Sequence, residues 1–259
     1  MNSVMLSFDV EEFDFPRERG EKFSLEEGIK VSKSGLVKVL KLLSEKGVRV
    51  TFFCTGNFAL AEAKLLQEMA KEGHEIACHG VDHFEVKETD VVESKQIVER
   101  TVKVKVVGYR QPRMQKIDYG KLFSCGYKYD SSVNPAFIPG RYNNLKVSVK
   151  PFYRQKILEI PVSVATSLRM PMFWLALHLY PKKMYIGFAK RIVRKNGYFA
   201  TYFHPWEFAE ISKLKIVPWY IKKNSGDRLI RRLGDLIDAL KKENYGFITY
   251  KEFYENKKK

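Results

Sequence analysis

Short apolar runs alternate along this chain with longer stretches in which apolar residues return every three or four positions, the pattern of strands leading into amphipathic helices. Val4 to Phe8 reads as a first strand, with the acidic stretch Asp9 to Glu12 directly after it. Phe13 to Ile29 holds Pro16 and Gly20 among many charges and reads as a long polar loop. Ser34 then offers an N-cap for a helix carrying Leu36, Val37, Leu40 and Leu43, with Gly47 placed to close it. The unit repeats: Val48 to Cys54 is a strand, and Ala59 to Glu72 is a helix with Leu65, Leu66 and Met69 inward and Gly73 at its end. A third strand, Glu75 to Cys78, delivers His79. Asp90 and Glu93 open a helix to about Lys103, and Val106 to Arg110 is the next strand.

Beyond Arg110 the units are less regular. Tyr119 to Cys125 reads as a short helix, Tyr127 to Ser132 and Ile157 to Val164 as strands, and Lys183 to Lys195 as a basic amphipathic helix. Tyr198 to Phe203 is a strand ending at His204. A last helix carries Leu229, Ile230, Leu233, Leu236, Ile237 and Leu240 on one face before a strand from Phe247 to Tyr250. This alternation argues for a parallel sheet with helices outside it. No internal repeat, low-complexity tract or linker stands out, so residues 1–259 are expected to form a single α/β domain, a length that suits one barrel.

The formal net charge of +16 attracts anionic partners at long range without choosing among nucleic acid, anionic lipid and phosphorylated glycan carriers. No nucleic-acid motif accompanies the charge, and the lysines scatter over helix surfaces and the Lys257-Lys258-Lys259 tail, so nucleic acid is not an expected partner. Cys54, Cys78 and Cys125 sit in or beside apolar segments and read as buried thiols. The N-terminal residues show no basic and apolar leader, which points to a cytoplasmic protein. The most apolar stretch, Met170 to Tyr180, contains His178 and is too short to span a bilayer; it suits either peripheral membrane contact or a substrate wall.

Chemistry changes the picture at His79-Gly80-Val81-Asp82-His83. Two imidazoles four residues apart face one point if the chain turns helically between them, and a carboxylate from the Asp9 to Glu12 cluster would complete a facial set for zinc or a similar divalent ion. In a parallel α/β fold, Asp9, His79, Arg110 and His204 all fall at strand carboxyl ends and share one mouth. His74 reads as an exposed turn residue, His178 and Trp174 as packing residues of an apolar segment. Trp206 reads as a sugar-stacking or core tryptophan.

The order of short motifs resembles that of the polysaccharide deacetylases of carbohydrate esterase family 4, the NodB-homology domain, over roughly Val4 to Phe208. Ser7-Phe8-Asp9-Val10-Glu11 matches the first motif and His79-Gly80-Val81-Asp82-His83 the histidine motif. Tyr109-Arg110-Gln111-Pro112 matches the arginine-proline motif, and Tyr202-Phe203-His204-Pro205 the last histidine motif. The resemblance implies a distorted, incomplete (β/α)7 TIM-like barrel. It also implies Asp9 as general base, Arg110 as its ion partner, Glu11, His79 and His83 as ligands of a divalent metal such as Zn2+, and His204 as the general acid protonating the departing amine.

The chain departs from the family pattern at two places. Val10 fills the usual position of the metal-binding acid, so Glu11, with Glu12 as the alternative, must reach the ion. The Asp-Trp motif is not evident; Asp130 is the candidate for its role of orienting His204, a turn-forming aspartate being the other reading. The function expected is a metal-dependent hydrolase of C–N amide bonds, removing an N-acetyl group from an acetamido sugar in a glycan or in a lipid- or nucleotide-linked precursor. The alternatives are a formamide or ring-amide hydrolase of the allantoinase type and an inactive glycan- or nucleic-acid-binding module.

Overall fold

Strand β1, Ser3–Val10, is buried along its whole length because it lies in the middle of the sheet with neighbours on both edges. The computed structural model describes residues 2–138, 142–165 and 168–258. On one side β1 pairs in parallel with β2, Thr51–Cys54, and on the other with the strand Tyr198–Phe203; Gly246–Phe247 also pairs with its first residues. The sheet continues through β3 (Glu75–Cys78), β4 (Gly108–Tyr109), β5 (Tyr129–Asp130) and the strand Ile157–Glu159, all parallel, to an antiparallel edge strand, Phe152–Arg154. The curled sheet does not close among the described residues, which makes the fold a distorted, incomplete β/α barrel as expected.

Alternation along β1 sorts its side chains. Val4, Leu6, Phe8 and Val10 join the large cluster under the helices, while Met5 belongs to the interior cluster with Phe53, Ala77, Tyr129, Ala200 and Tyr250. Ser7 and Asp9 share the parity of Met5. The register Val10, Cys54, Cys78, Tyr109, Asp130 runs straight across the sheet. The ladder then carries on past the strand ends, with Thr55 N–H to Val10 O, His79 N–H to Cys54 O, Arg110 N–H to Cys78 O and Ser131 N–H to Tyr109 O. His79 and Arg110 are thereby fixed at one level of one rim.

Several expected boundaries move. Helix α1 spans Leu25–Lys46, because Ser24 and Glu27 form a capping box that the charged surroundings disguised; Ser34 lies inside the helix, its hydroxyl donating to Val31 O. The long polar loop is correspondingly shorter. Two glycines let α1 approach the site: a Cβ on Gly28 would lie 2.9 Å from Phe13 O, and one on Gly35 only 1.9 Å from Pro205 O. The helix read from Ala59 to Glu72 is two, Gly56–Ala61 and Ala63–Lys71, broken at Glu62. Ile157 to Val164 divides between the main sheet and a separate antiparallel pair of Val164–Ala165 with Met170–Pro171. The last strand covers only Gly246–Phe247, and Tyr250–Lys258 is a helix that places Tyr250 in the barrel interior. Among the described residues, no helix is long and apolar enough to cross a membrane.

Candidate active site

Glu11 follows β1 directly, and its Oε2 lies 3.3 Å from His79 Nε2 and 3.1 Å from His83 Nε2. The chain between the two histidines is not helical. It turns at Gly80 (φ +72°), where a Cβ would press on the Pro112 ring, and is pinned by Gly56 N–H to Gly80 O and Asn57 N–H to Val81 O. The Nδ1 of each imidazole has an acceptor: the Arg110 carbonyl at 2.8 Å for His79, the Asp14 carboxylate at 2.8 Å for His83. Each ring therefore donates through Nδ1 and, when neutral, turns the lone pair of Nε2 toward Glu11.

Three electron-rich atoms thus converge, and the buried Glu11 Oε2 receives no hydrogen bond. Such a cluster is repulsive unless positive charge sits among its members. Two ligands each about 2.0–2.1 Å from a tetrahedral ion lie roughly 3.3 Å apart, matching the separations seen here, and a His-His-carboxylate set suits Zn2+. The residues fit a divalent ion. Without an ion, burial opposes the charge of Glu11, yet His83 above all, with His204 and His79, holds its carboxyl far below the usual range. Burial likewise disfavours a charged His83, but Glu11 and Asp14 push it up to about 9.

Glu12 faces elsewhere. Its carboxylate accepts from Thr55 Oγ1 (2.8 Å), Asn57 Nδ2 (3.4 Å) and the His83 backbone N–H (3.0 Å), and burial raises its pKa. Of the two acids left open by the sequence, Glu11 meets the histidines and Glu12 braces the turn that carries one of them.

Asp9 and Arg110 form a buried ion pair at 2.5 Å. The guanidinium also donates to Ser7 Oγ, Ser131 O, Ser131 Oγ and Tyr250 OH and lies 4.0 Å over the Phe53 ring. With so many acceptors a fully buried arginine is tolerable, and Asp9 is presented at a fixed angle.

His204 leaves the strand Tyr198–Phe203 beside Asp9, since Phe8 is in register with Phe203. Its Nε2 is 3.9 Å from Glu11 Oε1. Its Nδ1 meets Glu207 Oε1 at 2.9 Å, not Asp130. Pro205 opens a short 3-10 turn, Pro205–Phe208, that brings Glu207 back over His204. Asp130 instead accepts from the Ser132 backbone and hydroxyl (3.2 and 2.7 Å) and lies beside Glu159, which makes it the turn-forming aspartate. Burial pulls the His204 pKa down, but Glu11, Glu207 and Asp9 outweigh it and the net shift is upward.

Asp9, Glu11, His79, His83 and His204 line one cavity of about 510 Å³. Trp174 and Leu175 from the apolar Met170 to Tyr180 segment form part of its wall, so that segment is a wall of the site, with Ala176, Leu177 and His178 buried behind. Trp206 is only 7 % exposed; it stacks on His204 and donates its indole N–H to Glu11 Oε1 at 3.1 Å. His74 is buried, its Nδ1 accepting from Val50 N–H, and not an exposed turn residue. Sequence reasoning missed Asp14 and Glu207. Both stood in view, Asp14 two positions past the acidic stretch that holds Glu11, and Glu207 at the capping spacing from His204.

The family model for polysaccharide deacetylases matches residues 2–126. That span contains the first acidic motif, both histidines and Arg110, and stops short of His204. Among solved structures, a protein described as a probable polysaccharide deacetylase from Pseudomonas aeruginosa PAO1 superposes with a TM-score of 0.69 at 13% identity, over 98% of this chain and 89% of that one. The allantoinase Puue gives 0.67 at 13%, with the same coverage of 98% and 89%. A family 4 esterase pseudoenzyme from Bacillus anthracis, BA3943, gives 0.54 at 11%, over 98% of this chain and 66% of that one. At such identities the likeness is one of fold, shared by relatives with and without activity.

Proposed function

We propose that this chain, a member of the polysaccharide deacetylase family by its match over residues 2–126 and by its fold, is a metal-dependent amide hydrolase that removes the N-acetyl group from an acetamido sugar. The observation that carries the reading is the lone-pair cluster of Glu11, His79 and His83, set in one cavity with Asp9 and His204.

A divalent ion held by Glu11, His79 and His83, zinc being the choice of this donor set, would supply Lewis acidity. The protein's own groups do the rest. Asp9, held by Arg110, takes the proton of the attacking water. His204 gives a proton from Nε2 to the sugar nitrogen as the C–N bond breaks. Glu207 on Nδ1 keeps that ring in place. The products are an amine and acetate, one water consumed.

The finer reading concerns the substrate's carrier. We assign the cavity to a glycan precursor on an anionic or lipid-linked carrier. Support comes from the rim, where Trp219 is 72 % exposed next to the mouth residue Tyr220, with Lys213, Lys215 and Lys223 exposed nearby. Indole rings and lysines are the groups that settle at a membrane interface.

The test incubates the Zn2+-loaded protein with N-acetylglucosamine oligosaccharides, and with the same sugar on a polyprenyl phosphate, and identifies the small product. Acetate supports the reading, turnover only of an N-formyl sugar or of a cyclic ureide, each offered separately, moves the chain to the allantoinase-like branch, and absence of both turnover and bound metal leaves an inactive binding module. Sedimentation with anionic vesicles, lost in Trp219→Ser, tests the membrane part.

A further inference from the structure

His178 is buried and takes no part in the mechanism above. Its Nε2 lies 2.8 Å from Glu207 Oε2, while Glu207 Oε1 receives both the backbone N–H and the Nδ1 of His204. The carboxylate is fully enclosed and its two oxygens are divided between two imidazoles. On the other side of its ring, His178 Nδ1 is buried with no hydrogen-bond partner. A proton there would be an uncompensated donor, so Nε2 is the nitrogen that carries the proton donated to Glu207. Trp174 packs nearly perpendicular to both histidine rings, its centroid 5.9 Å from that of His178 and 5.3 Å from that of His204.

We infer that His178 is a positioning residue for leaving-group protonation: through Glu207 it fixes the orientation and tautomer of His204. The inference rests on the proposed hydrolase reading. Without the His178 N–H, one buried carboxylate oxygen loses its donor, and Glu207 is free to rotate away from Nδ1.

The test compares His178→Leu with His178→Gln, whose amide retains a donor near the place of Nε2, on N-acetylglucosamine oligosaccharides and on 4-nitrophenyl acetate, an ester whose leaving group departs without a proton. Expected is a fall in kcat of about 10–100-fold for the amide in the Leu variant, the size typical of outer-sphere partners. KM should stay nearly unchanged, Gln should restore most of the activity, and the ester should be affected little. Equal loss on amide and ester, or full amide activity in the Leu variant, overturns it. Should the Leu variant not fold, 15N spectra of the histidine-labelled native protein decide. An unprotonated Nδ1 on His178 agrees with the inference and a protonated one refutes it. A native protein that cleaves neither substrate defeats the hydrolase reading instead, while the spectra still test the arrangement.

Discussion

Three substitutions at neighbouring acids separate a metal ligand from its supports. Glu11→Gln removes the carboxylate oxygen shared between His79 and His83, Asp14→Asn weakens the acceptor that aims His83, and Glu12→Gln touches only the brace to Thr55, Asn57 and the His83 backbone. Loss of an outer-sphere partner costs about 10–100-fold in metal affinity, roughly 1.4–2.7 kcal/mol, which is the expectation for Asp14→Asn. Loss of the charged ligand should exceed this, at about 1,000-fold or more, roughly 4 kcal/mol. Glu12→Gln should keep the metal. Competition for Zn2+ against a chromophoric chelator measures all three directly. Thermal melts give a second readout: at a free Zn2+ concentration of 100 Kd, binding stabilises by about 2.7 kcal/mol. Spread over the unfolding entropy of a 259-residue chain, that raises Tm by about 5 °C. The rise should vanish in Glu11→Gln at the same Zn2+ concentration and persist in Glu12→Gln. Native-like affinity in Glu11→Gln, or loss of metal only in Glu12→Gln, would refute the assignment.

Gly35→Ala forces a methyl group against Pro205 O, 1.9 Å from its ideal position; we expect a loss of about 1–3 kcal/mol, as for overpacking, in denaturant titrations, with reduced turnover because Pro205 precedes Trp206 and Glu207. Asp9→Asn keeps an acceptor for Arg110 but strips the charge from a buried pair. It should lower kcat by about 100–10,000-fold while costing up to about 3–5 kcal/mol, and a chain that stays folded and active within a few-fold would remove Asp9 from the mechanism. With His83 pushed up to about 9, Zn2+ must displace a proton, so apparent affinity should rise by up to about tenfold per pH unit from pH 6 and level off near 9, as read by chelator competition. Burial raises the Glu75 pKa despite donors from Tyr129, Thr51 and Lys251. A carboxyl raised on folding stabilises below its unfolded pKa and loses that contribution as pH climbs through the folded value, so Glu75→Gln should gain stability relative to the native chain as pH rises above the ordinary carboxyl range in urea titrations.

The alternation of strand and helix made the barrel legible, and it placed His79, Arg110 and His204 at strand ends without any knowledge of contacts. What it could not supply was the direction of adjacent side chains. Glu11 and Glu12 are chemically alike, and only Thr55 and Asn57, more than forty positions onward, claim one and leave the other for the histidines. Asp130 stood as the candidate to orient His204 because the family resemblance calls for an Asp-Trp motif, but the 3-10 turn at Pro205 lets Glu207, three residues away, arrive first. The start of α1 was hidden by charge density around Ser24. The edge hairpin ending at Arg154 turns on Gln155 and Lys156 in the left-handed region, where glycine or asparagine would have announced it.

The pairing of β1 with Tyr198–Phe203 has a consequence for biogenesis. During synthesis β1, with Asp9 in it and Glu11 just after, emerges nearly two hundred residues before the partner that covers its exposed edge. Until then the nascent sheet keeps an unsatisfied apolar border, a liability for aggregation and a demand on chaperones. The proposed proton donor, His204, arrives with that same late segment, so on that reading an unfinished chain could grip a cation but could not complete a turnover.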